Sequence, residues 1–381
     1  DLSIQLVIFG PGDEIFTWWG HNAMIVKDHG QDVLRIYNFG LYSFGDGMLA
    51  KFVMGRLIFF GGAFKSMNYL NYYINENRDV RIIELKLPPE KRLTLARRLG
   101  EAVLPVNKHY LYHHYYENCS TRLRDMIDDA LDGALSEKAS QPARMTLRQH
   151  TRRYVGHSPM MEMLLMYLMN DDIDQPITEW NEMFLPDELE RQVRELQYTT
   201  SDGDTIKLAQ STNIVHAADR EAIPETVYLH WPGALLIGLI VGGAAWFLVY
   251  WRVNNPNRFS PRAGLSFYHI FIGIIFGIPG LGLTLVASFT DHQVAYYNEN
   301  LLMINLLTFL FLPLGFLTIW KRVWAERWLD TLWLIHGLGA VLAVVLKVFP
   351  SFDQSNGLVM ALVLPVICMN GVSRLWIKRQ T

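Results

Sequence analysis

The chain of 381 residues is half hydrophobic and carries a formal net charge of −3. This balance gives no reason to expect nucleic acid as a partner, and its two cysteines are too few for a disulfide framework. The length allows more than one domain. No charged and apolar leader precedes Asp1, so we expect any signal peptide to have been removed.

The first strong pattern predicts a β-hairpin. Residues 4–9 form an apolar run that ends in the turn sequence GPGD, and HNAMIVKDHGQDVLRIYNFG follows. A hairpin symmetric about DHGQ pairs three sets of residues: Ile25 with Leu34, Ala23 with Ile36, and His21 with Asn38. Side chains alternate across a strand, so these six residues share one face of the hairpin. The face is apolar in its interior, and the His21–Asn38 pair lies at its open end.

The rest of the first half predicts mixed strands and helices. Residues 78–88 predict a strand, and Glu90–Leu104 predicts a helix that lies between two prolines. The aromatic segment NKHYLYHHYYENC is expected to be buried or to face substrate. Residues 136–200 are mainly helical in pattern, and MEMLLMYLM predicts a core helix, with a surface that dips into lipid as the alternative. Residues 199–226 predict a hairpin or a linker.

Composition changes abruptly near residue 226, which predicts a domain over residues 1–226 and a membrane domain over residues 227–381. About 20 apolar residues cross a bilayer core of about 30 Å. Because the runs of this second part are apolar on every face, spans are favoured over a soluble helical core. The five runs are Leu229–Trp251, Leu265–Thr290, Leu301–Trp320, Leu329–Phe349 and Leu358–Gly371.

Loop charges predict the orientation of these spans. The loops DHQVAYYNEN and PSFDQSNG contain no Lys or Arg, whereas the two other loops and the tail are basic. By the positive-inside rule the basic segments and the C-terminus face the cytoplasm, and residues 1–226 lie outside a bacterial cytoplasmic membrane. The basic residues are Arg252, Arg258, Arg262, Lys321, Arg322, Arg327, Arg374, Lys378 and Arg379.

Cys119 begins a segment with helical periodicity, and the face it shares with Leu123 and Ile127 is expected to pack on the domain core. Free N–H groups and the helix dipole at a first turn lower a thiol pKa and favour a nucleophile. A small buried thiol with no chemical role is the alternative. His21 is the candidate base, and Asn38 would hold its tautomer.

These residues resemble a known family. The segments PGDEIFTWWGHNAMIV, IYNFG, YYENCSTRLRDMIDDAL and TEWNEMFLPDEL look like the family that includes the Lnb-type lipoprotein N-acyltransferases. The resemblance implies an α+β fold: a circularly permuted, NlpC-type papain-like domain, followed here by a five-helix transmembrane bundle. In such domains the His-bearing strand precedes the Cys-bearing helix, as it does in this chain.

Carried over by residue, the resemblance makes Cys119 the nucleophile and His21 its base, with Asn38 our choice for the third member. It implies that Cys119 takes an acyl chain from a membrane phospholipid as a thioester. The α-amino group of the diacylglyceryl-cysteine of a lipoprotein then accepts that chain. The Cys119 backbone N–H and the Asn118 side chain are candidate oxyanion donors, and Tyr116 is a candidate substrate contact.

Two weaker signals and two alternative functions stay open. Arg122 is a candidate contact for a phosphate headgroup, with an exposed helix face as the alternative. The histidines of HYLYHH lack a second cysteine nearby, so we expect no metal, and nothing indicates a cofactor. A membrane-anchored Cys–His hydrolase, acting as a phospholipase or a wall peptidase, is the second function, and a non-enzymatic scaffold is the third. The sequence leaves the oligomeric state open.

Overall fold

The computed structural model describes residues 1–42, 45, 47–65, 67–200 and 202–380, without the side chains of residues 48, 49 and 375–380. The side chains of Lys378 and Arg379, part of the predicted basic tail, therefore lie outside the described residues. The chain divides into two compact units. The first comprises Asp1–Phe52, Arg56–Tyr154 and Pro176–Glu225, and the second comprises Val53–Gly55, Val155–Gln175 and Thr226–Thr381. The segment 155–175, which the sequence assigns to the first domain, belongs to the second unit.

The first unit is built on a seven-stranded antiparallel sheet with the strand order β6-β4-β3-β2-β1-β5-β9. Its strands are β1 (Leu2–Phe9), β2 (His21–Asp28), β3 (Val33–Leu41), β4 (Ile58–Phe64), β5 (Val80–Leu85), β6 (His109–Leu111) and β9 (Ala209–His216), and β7 (Gln197–Thr199) pairs separately with β8 (Thr205–Lys207). The strand predicted at residues 78–88 is thereby confirmed. The segment predicted as a hairpin or linker contains β8 and β9, and β9 forms one edge of the main sheet.

Helices cover both faces of this sheet. The helices of this part of the chain are α1 (Met48–Val53), α2 (Asn68–Asn75), α3 (Pro89–Ala102), α4 (Cys119–Ala130), α5 (Ala134–Lys138), α6 (Leu147–Val155), α7 (Pro159–Leu168), α8 (Glu179–Glu182) and α9 (Pro186–Glu195). On one face, the even-numbered residues of β1 pack with α3, α4 and α9. On the other, the odd-numbered residues of β1 and β2 pack against Leu70 and Tyr73 of α2. The predicted face of the Cys119 helix is confirmed, since Leu123 and Ile127 are fully buried in the first of these cores.

The predicted hairpin exists, but its predicted register is wrong by two residues. Ala23 lies opposite Asn38, and Ile25 lies opposite Ile36. The reason is the turn: Asp28 pairs with Val33, so the loop is residues 29–32, and Asp32 adopts a left-handed φ of 48°. Because side chains alternate with period two, a shift of two residues leaves every side chain on its predicted face.

The second unit contains the apolar helices. Its remaining helices are α10 (Trp231–Asn254), α11 (Phe259–Ile272), α12 (Ile278–Phe289), α13 (Phe311–Ile319), α14 (Val323–Val345) and α15 (Gly357–Gln380). Among the described residues, four helices are long and apolar enough to cross a membrane: Trp231–Asn254, Phe259–Phe289, Val323–Val348 and Gly357–Arg374. The third predicted run is a helix pair, Gln293–Leu302 and Leu306–Ile319, bent by 60°, which makes five spans if the pair is one.

Small residues set the packing of the first and last spans. A Cβ atom added at Gly238 would lie 2.3 Å from the Leu362 carbonyl oxygen, and one at Gly242 would lie 2.7 Å from the Pro365 carbonyl oxygen. In lipid, helices associate through such close backbone approach, because the surrounding acyl chains are as apolar as the side chains. The second unit is therefore a packed helical bundle.

Candidate active site

The site is built around a hydrogen bond between His21 and Asn38. His21 is the first residue of β2, and its Nε2 lies 2.9 Å from Asn38 Oδ1 on β3. The Gly40 amide donates to the same oxygen at 2.6 Å, which fixes that atom as the amide oxygen. An oxygen acceptor requires a proton on His21 Nε2. The free lone pair of the neutral imidazole is therefore on Nδ1, which is the nitrogen left to act as a base.

Tyr69 and Tyr73 of α2, a helix that the sequence did not predict, support the Asn38 side chain through hydrogen bonds. Asn38 Nδ2 donates to the Tyr69 hydroxyl, which lies 2.8 Å from the Tyr73 hydroxyl. The Tyr73 ring in turn stacks on Phe9 at a centroid distance of 3.5 Å. Gly40 leaves room for the imidazole, since a Cβ there would lie 2.5 Å from His21 Cε1. The spacing of Tyr69 and Tyr73, four residues apart, is the one sequence signal for this support.

Cys119 is the first residue of α4, and its position depends on a helix cap. Asn118 Oδ1 accepts the amides of Ser120 and Thr121 at 2.8 and 3.0 Å, and the Thr121 hydroxyl accepts the Asn118 amide in return. This reciprocal arrangement satisfies N–H groups that a helix start otherwise leaves unpaired. Ser120 Oγ also donates to the Met183 carbonyl at 2.7 Å, which fixes the start of α4 against the segment TEWNEMFLPDEL.

The Cys119 residue is partly accessible, but the surrounding protein desolvates its thiol. Burial raises its pKa to about 11, against the opposing effects of the Asn22, Ser120 and Cys119 amides and of Arg78. The predicted lowering of the thiol pKa is therefore wrong, because desolvation outweighs the amides of the helix start. The Asn22 amide that faces the sulphur belongs to the residue after His21. The sulphur thus lies beside the beginning of β2.

His21 is uncharged at neutral pH. Its pKa falls to about 4 because burial and the nearby Arg78 disfavour the imidazolium, and the bond to Asn38 offsets this only in part. With the thiol pKa raised and the imidazole pKa lowered, the resting site holds a neutral thiol and a neutral imidazole. Such a pair favours general-base activation over a preformed thiolate–imidazolium pair.

Arg78 is a buried cation that the sequence analysis does not single out. Its Nε donates to the Gly10 carbonyl at 2.8 Å, and its guanidinium lies over the Tyr73 ring at 4.9 Å. Within the described part of the chain, its Nη2 has no hydrogen-bond partner. Its charge favours the thiolate form of Cys119 and disfavours the charged form of His21. Arg78 thus contributes a positive charge to the site, although burial has the larger effect on both groups.

The structure speaks against the predicted oxyanion role of the Asn118 side chain. Its Oδ1 caps α4, and its Nδ2 donates to the carbonyls of His114 and Phe184 at 2.7 and 3.0 Å. A developing oxyanion accepts hydrogen bonds, so it could use only Nδ2, and it would have to displace one of these two carbonyls to do so. Asn118 is a structural residue that places Cys119.

The other predicted contacts lie near the site but are engaged elsewhere. Arg122 forms a salt bridge with Glu117 and lies over the Tyr110 ring at 4.4 Å, so it is neither a free phosphate contact nor part of an exposed face. Tyr116 is half exposed and stacks on His113 at 4.7 Å. Burial lowers the pKa of His114 to about 4. Within the described residues, no three His, Cys, Asp or Glu side chains are grouped so that they could hold a metal ion.

Comparison with known proteins identifies the first part of the chain. Residues 1–153 match the sequence model of the Lnb N-terminal periplasmic domain. That range includes β1 to β6, the His21–Asn38 pair and all of α4. No curated protein and no solved structure matches the chain. A periplasmic N-terminal domain followed by several apolar helices makes this a multi-pass protein of the inner membrane.

Proposed function

We propose that the chain, whose residues 1–153 match the Lnb N-terminal periplasmic domain, is a lipoprotein N-acyltransferase. The observation that carries the proposal is the arrangement at the start of β2. The partly accessible Cys119 begins a helix, and its sulphur faces the backbone amide of Asn22. The residue before Asn22 is His21, which is hydrogen-bonded to Asn38. Cys119, His21 and Asn38 are the proposed nucleophile, base and orienting residue.

In the first step the Cys119 sulphur attacks the carbonyl carbon of an ester in a membrane phospholipid. His21 Nδ1 accepts the thiol proton as the S–C bond forms, and Asn38 stabilises the resulting imidazolium through Nε2. The tetrahedral intermediate collapses by breaking the C–O bond of the ester. The imidazolium returns its proton to the departing oxygen, so a lysophospholipid leaves and an acyl thioester remains on Cys119.

In the second step the α-amino group of a diacylglyceryl-cysteine attacks the thioester carbonyl. His21 Nδ1 takes a proton from the attacking nitrogen, the C–S bond breaks, and the imidazolium returns the proton to the sulphur. The products are an amide-linked acyl chain on the lipoprotein and the free Cys119 thiol. In both steps the backbone amides of Asn22 and Cys119, which face the sulphur, are the proposed oxyanion donors in place of the Asn118 side chain.

The fold and topology proposed with this function follow the same logic. A sheet strand that carries the histidine precedes a helix that begins with the cysteine, the order of a permuted NlpC-type papain-like domain. The basic loops after α10 and α13 are proposed to face the cytoplasm together with the C-terminus. Both substrates would then be lipids anchored in the leaflet nearest the periplasmic domain.

The intact mass of the purified full chain, measured after incubation with phospholipid vesicles, tests the thioester. Expected is an added mass of one fatty acyl chain, absent in Cys119→Ala and retained in the matched control Cys368→Ser, which removes the other cysteine. The adduct should disappear when a diacylglyceryl lipopeptide is added, and the lipopeptide should gain the same mass. Lack of any adduct in wild-type protein would argue against a thioester.

The same experiment separates the hydrolase. A hydrolase releases free fatty acid at an equal rate with and without the lipopeptide, and the lipopeptide gains no mass. His21→Ala should abolish adduct formation, whereas the neighbouring Asn22→Ala should not abolish it, since it is the Asn22 backbone amide that faces the sulphur and the side-chain amide donates to Ser120. Unchanged adduct formation in His21→Ala would refute the proposed base.

A further inference from the structure

Helix α7 is, among the described residues, the one shorter apolar helix of 10–17 residues. Its ten residues read PMMEMLLMYL, and Glu162 is the one charged residue among them. At 1.5 Å per residue it is about 15 Å long, half of what a bilayer core requires. It belongs to the compact unit that contains the spans, where Met166 and Tyr167 are buried in the core of the bundle.

The C-terminal end of α7 is held by side chains from the bundle. The Asn298 side chain donates to the Tyr167 and Leu168 carbonyls at 3.1 and 3.0 Å, and that of Asn300 donates to the Tyr167 carbonyl at 3.0 Å. Gln354 Nε2 donates to the Met169 carbonyl at 2.9 Å. The last carbonyls of a helix have no partners within it, so these bonds fix α7 to two loops of the bundle.

Near its beginning, α7 is bound to the start of the first span. Glu162 is fully buried, and its carboxylate pairs with Nδ1 of His230, the residue before α10. Because α10 directly follows the periplasmic domain, its start marks the periplasmic end of the bundle. The loops that carry Asn298 and Gln354 lie at the same end, since each follows a span that runs back toward it. Helix α7 is thus fixed at the periplasmic end of the spans.

The remaining face of α7 is apolar and uncovered. Met160 is 80% exposed and Leu164, one turn later, is 41% exposed, so both lie on one face of the helix. The single carboxylate of the helix points to His230 and leaves this face without charge. At the same end of the bundle, Leu229 and Trp231 at the start of α10 are also exposed. Trp at such a position is typical of the membrane–water interface.

We propose that α7 is an interfacial helix, whose Met160 and Leu164 side chains insert into the outer leaflet of the inner membrane. A water-facing apolar face of this kind is unfavourable, whereas the hydrocarbon boundary covers it. The exposed apolar side chains at the start of α10 lie at the same end of the bundle, where lipid surrounds the spans, and this identifies the occupant as lipid. The absence of charge on the face offers nothing that would select a protein partner through electrostatics. This inference does not depend on the proposed acyl transfer.

Site-directed spin labelling of the full chain in phospholipid vesicles tests the proposal. Single cysteines are introduced as Met160→Cys and Leu164→Cys in a Cys119→Ala, Cys368→Ser background, and accessibility to oxygen and to a water-soluble nickel chelate is measured. Val106→Cys, at a position 85% exposed in the first unit, is the aqueous control. Phe247→Cys, 61% exposed on α10, is the lipid-facing control.

Expected for both α7 labels is an oxygen-to-nickel accessibility ratio several-fold above that of Val106→Cys and approaching that of Phe247→Cys. Acyl chains brominated near the headgroup should also quench a fluorophore at either position. Nickel accessibility equal to that of Val106→Cys would place the face in water and overturn the proposal. Protection from both reagents would show that protein covers the face, which would overturn it as well.

Discussion

The thiol of Cys119 should react slowly at neutral pH, and its rate should rise about tenfold with each pH unit up to at least pH 10. Its pKa of about 11 compares with ~8.5 for an ordinary cysteine. At pH 7 the thiolate fraction then falls from roughly 3 in 100 to roughly 1 in 10,000, about 300-fold. A more basic thiolate is also more nucleophilic, by about tenfold over this pKa difference. The net expectation is alkylation about 30-fold slower than that of an exposed thiol.

Substitution of Arg78 tests how much a nearby positive charge affects the Cys119 pKa and hence the alkylation rate. Its positive charge favours the thiolate, so Arg78→Met should raise the Cys119 pKa further and slow alkylation several-fold at every pH below 10. Arg78→Lys keeps the charge and should stay close to the unmodified rate. The comparison needs both variants because Arg78 also donates to the Gly10 carbonyl, and loss of that bond alone would affect the two variants alike.

The assay is a time course of iodoacetamide labelling between pH 6 and 10, read by intact mass in the Cys368→Ser chain, in which Cys119 is the one remaining thiol. The same chain in guanidinium chloride is the control, and its rate should level off near pH ~8.5. A native rate that levels off at or below pH 8 would refute the reasoning. It would mean that the amides and Arg78 outweigh burial and that the resting site holds a thiolate.

Three further changes have defined outcomes. Asn38→Ala should slow thioester formation at least roughly tenfold, because the His21 tautomer is no longer fixed. Tyr69→Phe should slow it less, since Asn38 then loses one acceptor and keeps its bonds to His21 and Gly40. Equal rates in the wild-type protein and both variants, measured by intact mass, would contradict the orienting role. Asn118→Ala should lower the free energy of unfolding by about 1–3 kcal/mol in denaturant titrations, because the cap of α4 and the two bonds from Nδ2 are lost together. The control variant Asn118→Asp should retain the cap of α4. The folded-state pKa values of His21 and His114 lie near 4, below the unfolded value of ~6.5. Their contribution to stability is therefore present above pH ~6.5 and is lost as pH falls toward 4. Thermal melts of the full chain should show a lower melting temperature at pH 4.5 than at pH 7, and His114→Gln should make this difference smaller.

The sequence by itself determined the division of the chain and the order of its chemistry. Runs of about 20 apolar residues can be satisfied only in a membrane or a large core, so five candidate spans follow from composition, whereas the 60° bend in the third run does not. Alternation along 21–28 and 33–41 placed His21 and Asn38 on one face, because the face depends on parity and survives a register error of two. The position of Cys119 at a helix start also followed from local pattern, since helical periodicity begins at that residue.

The tertiary structure decided what those residues experience. The thiol pKa was expected to fall and rises instead, because burial depends on how β2, α2 and α4 pack, and no local pattern records it. Tyr69 and Arg78 reach the site across the sheet from sequence positions that carry no motif, and the Asn118 amide is taken by carbonyls of which one lies 66 residues away. Local sequence fixes backbone direction and periodicity, whereas desolvation and hydrogen-bond partners are properties of contacts distant along the chain.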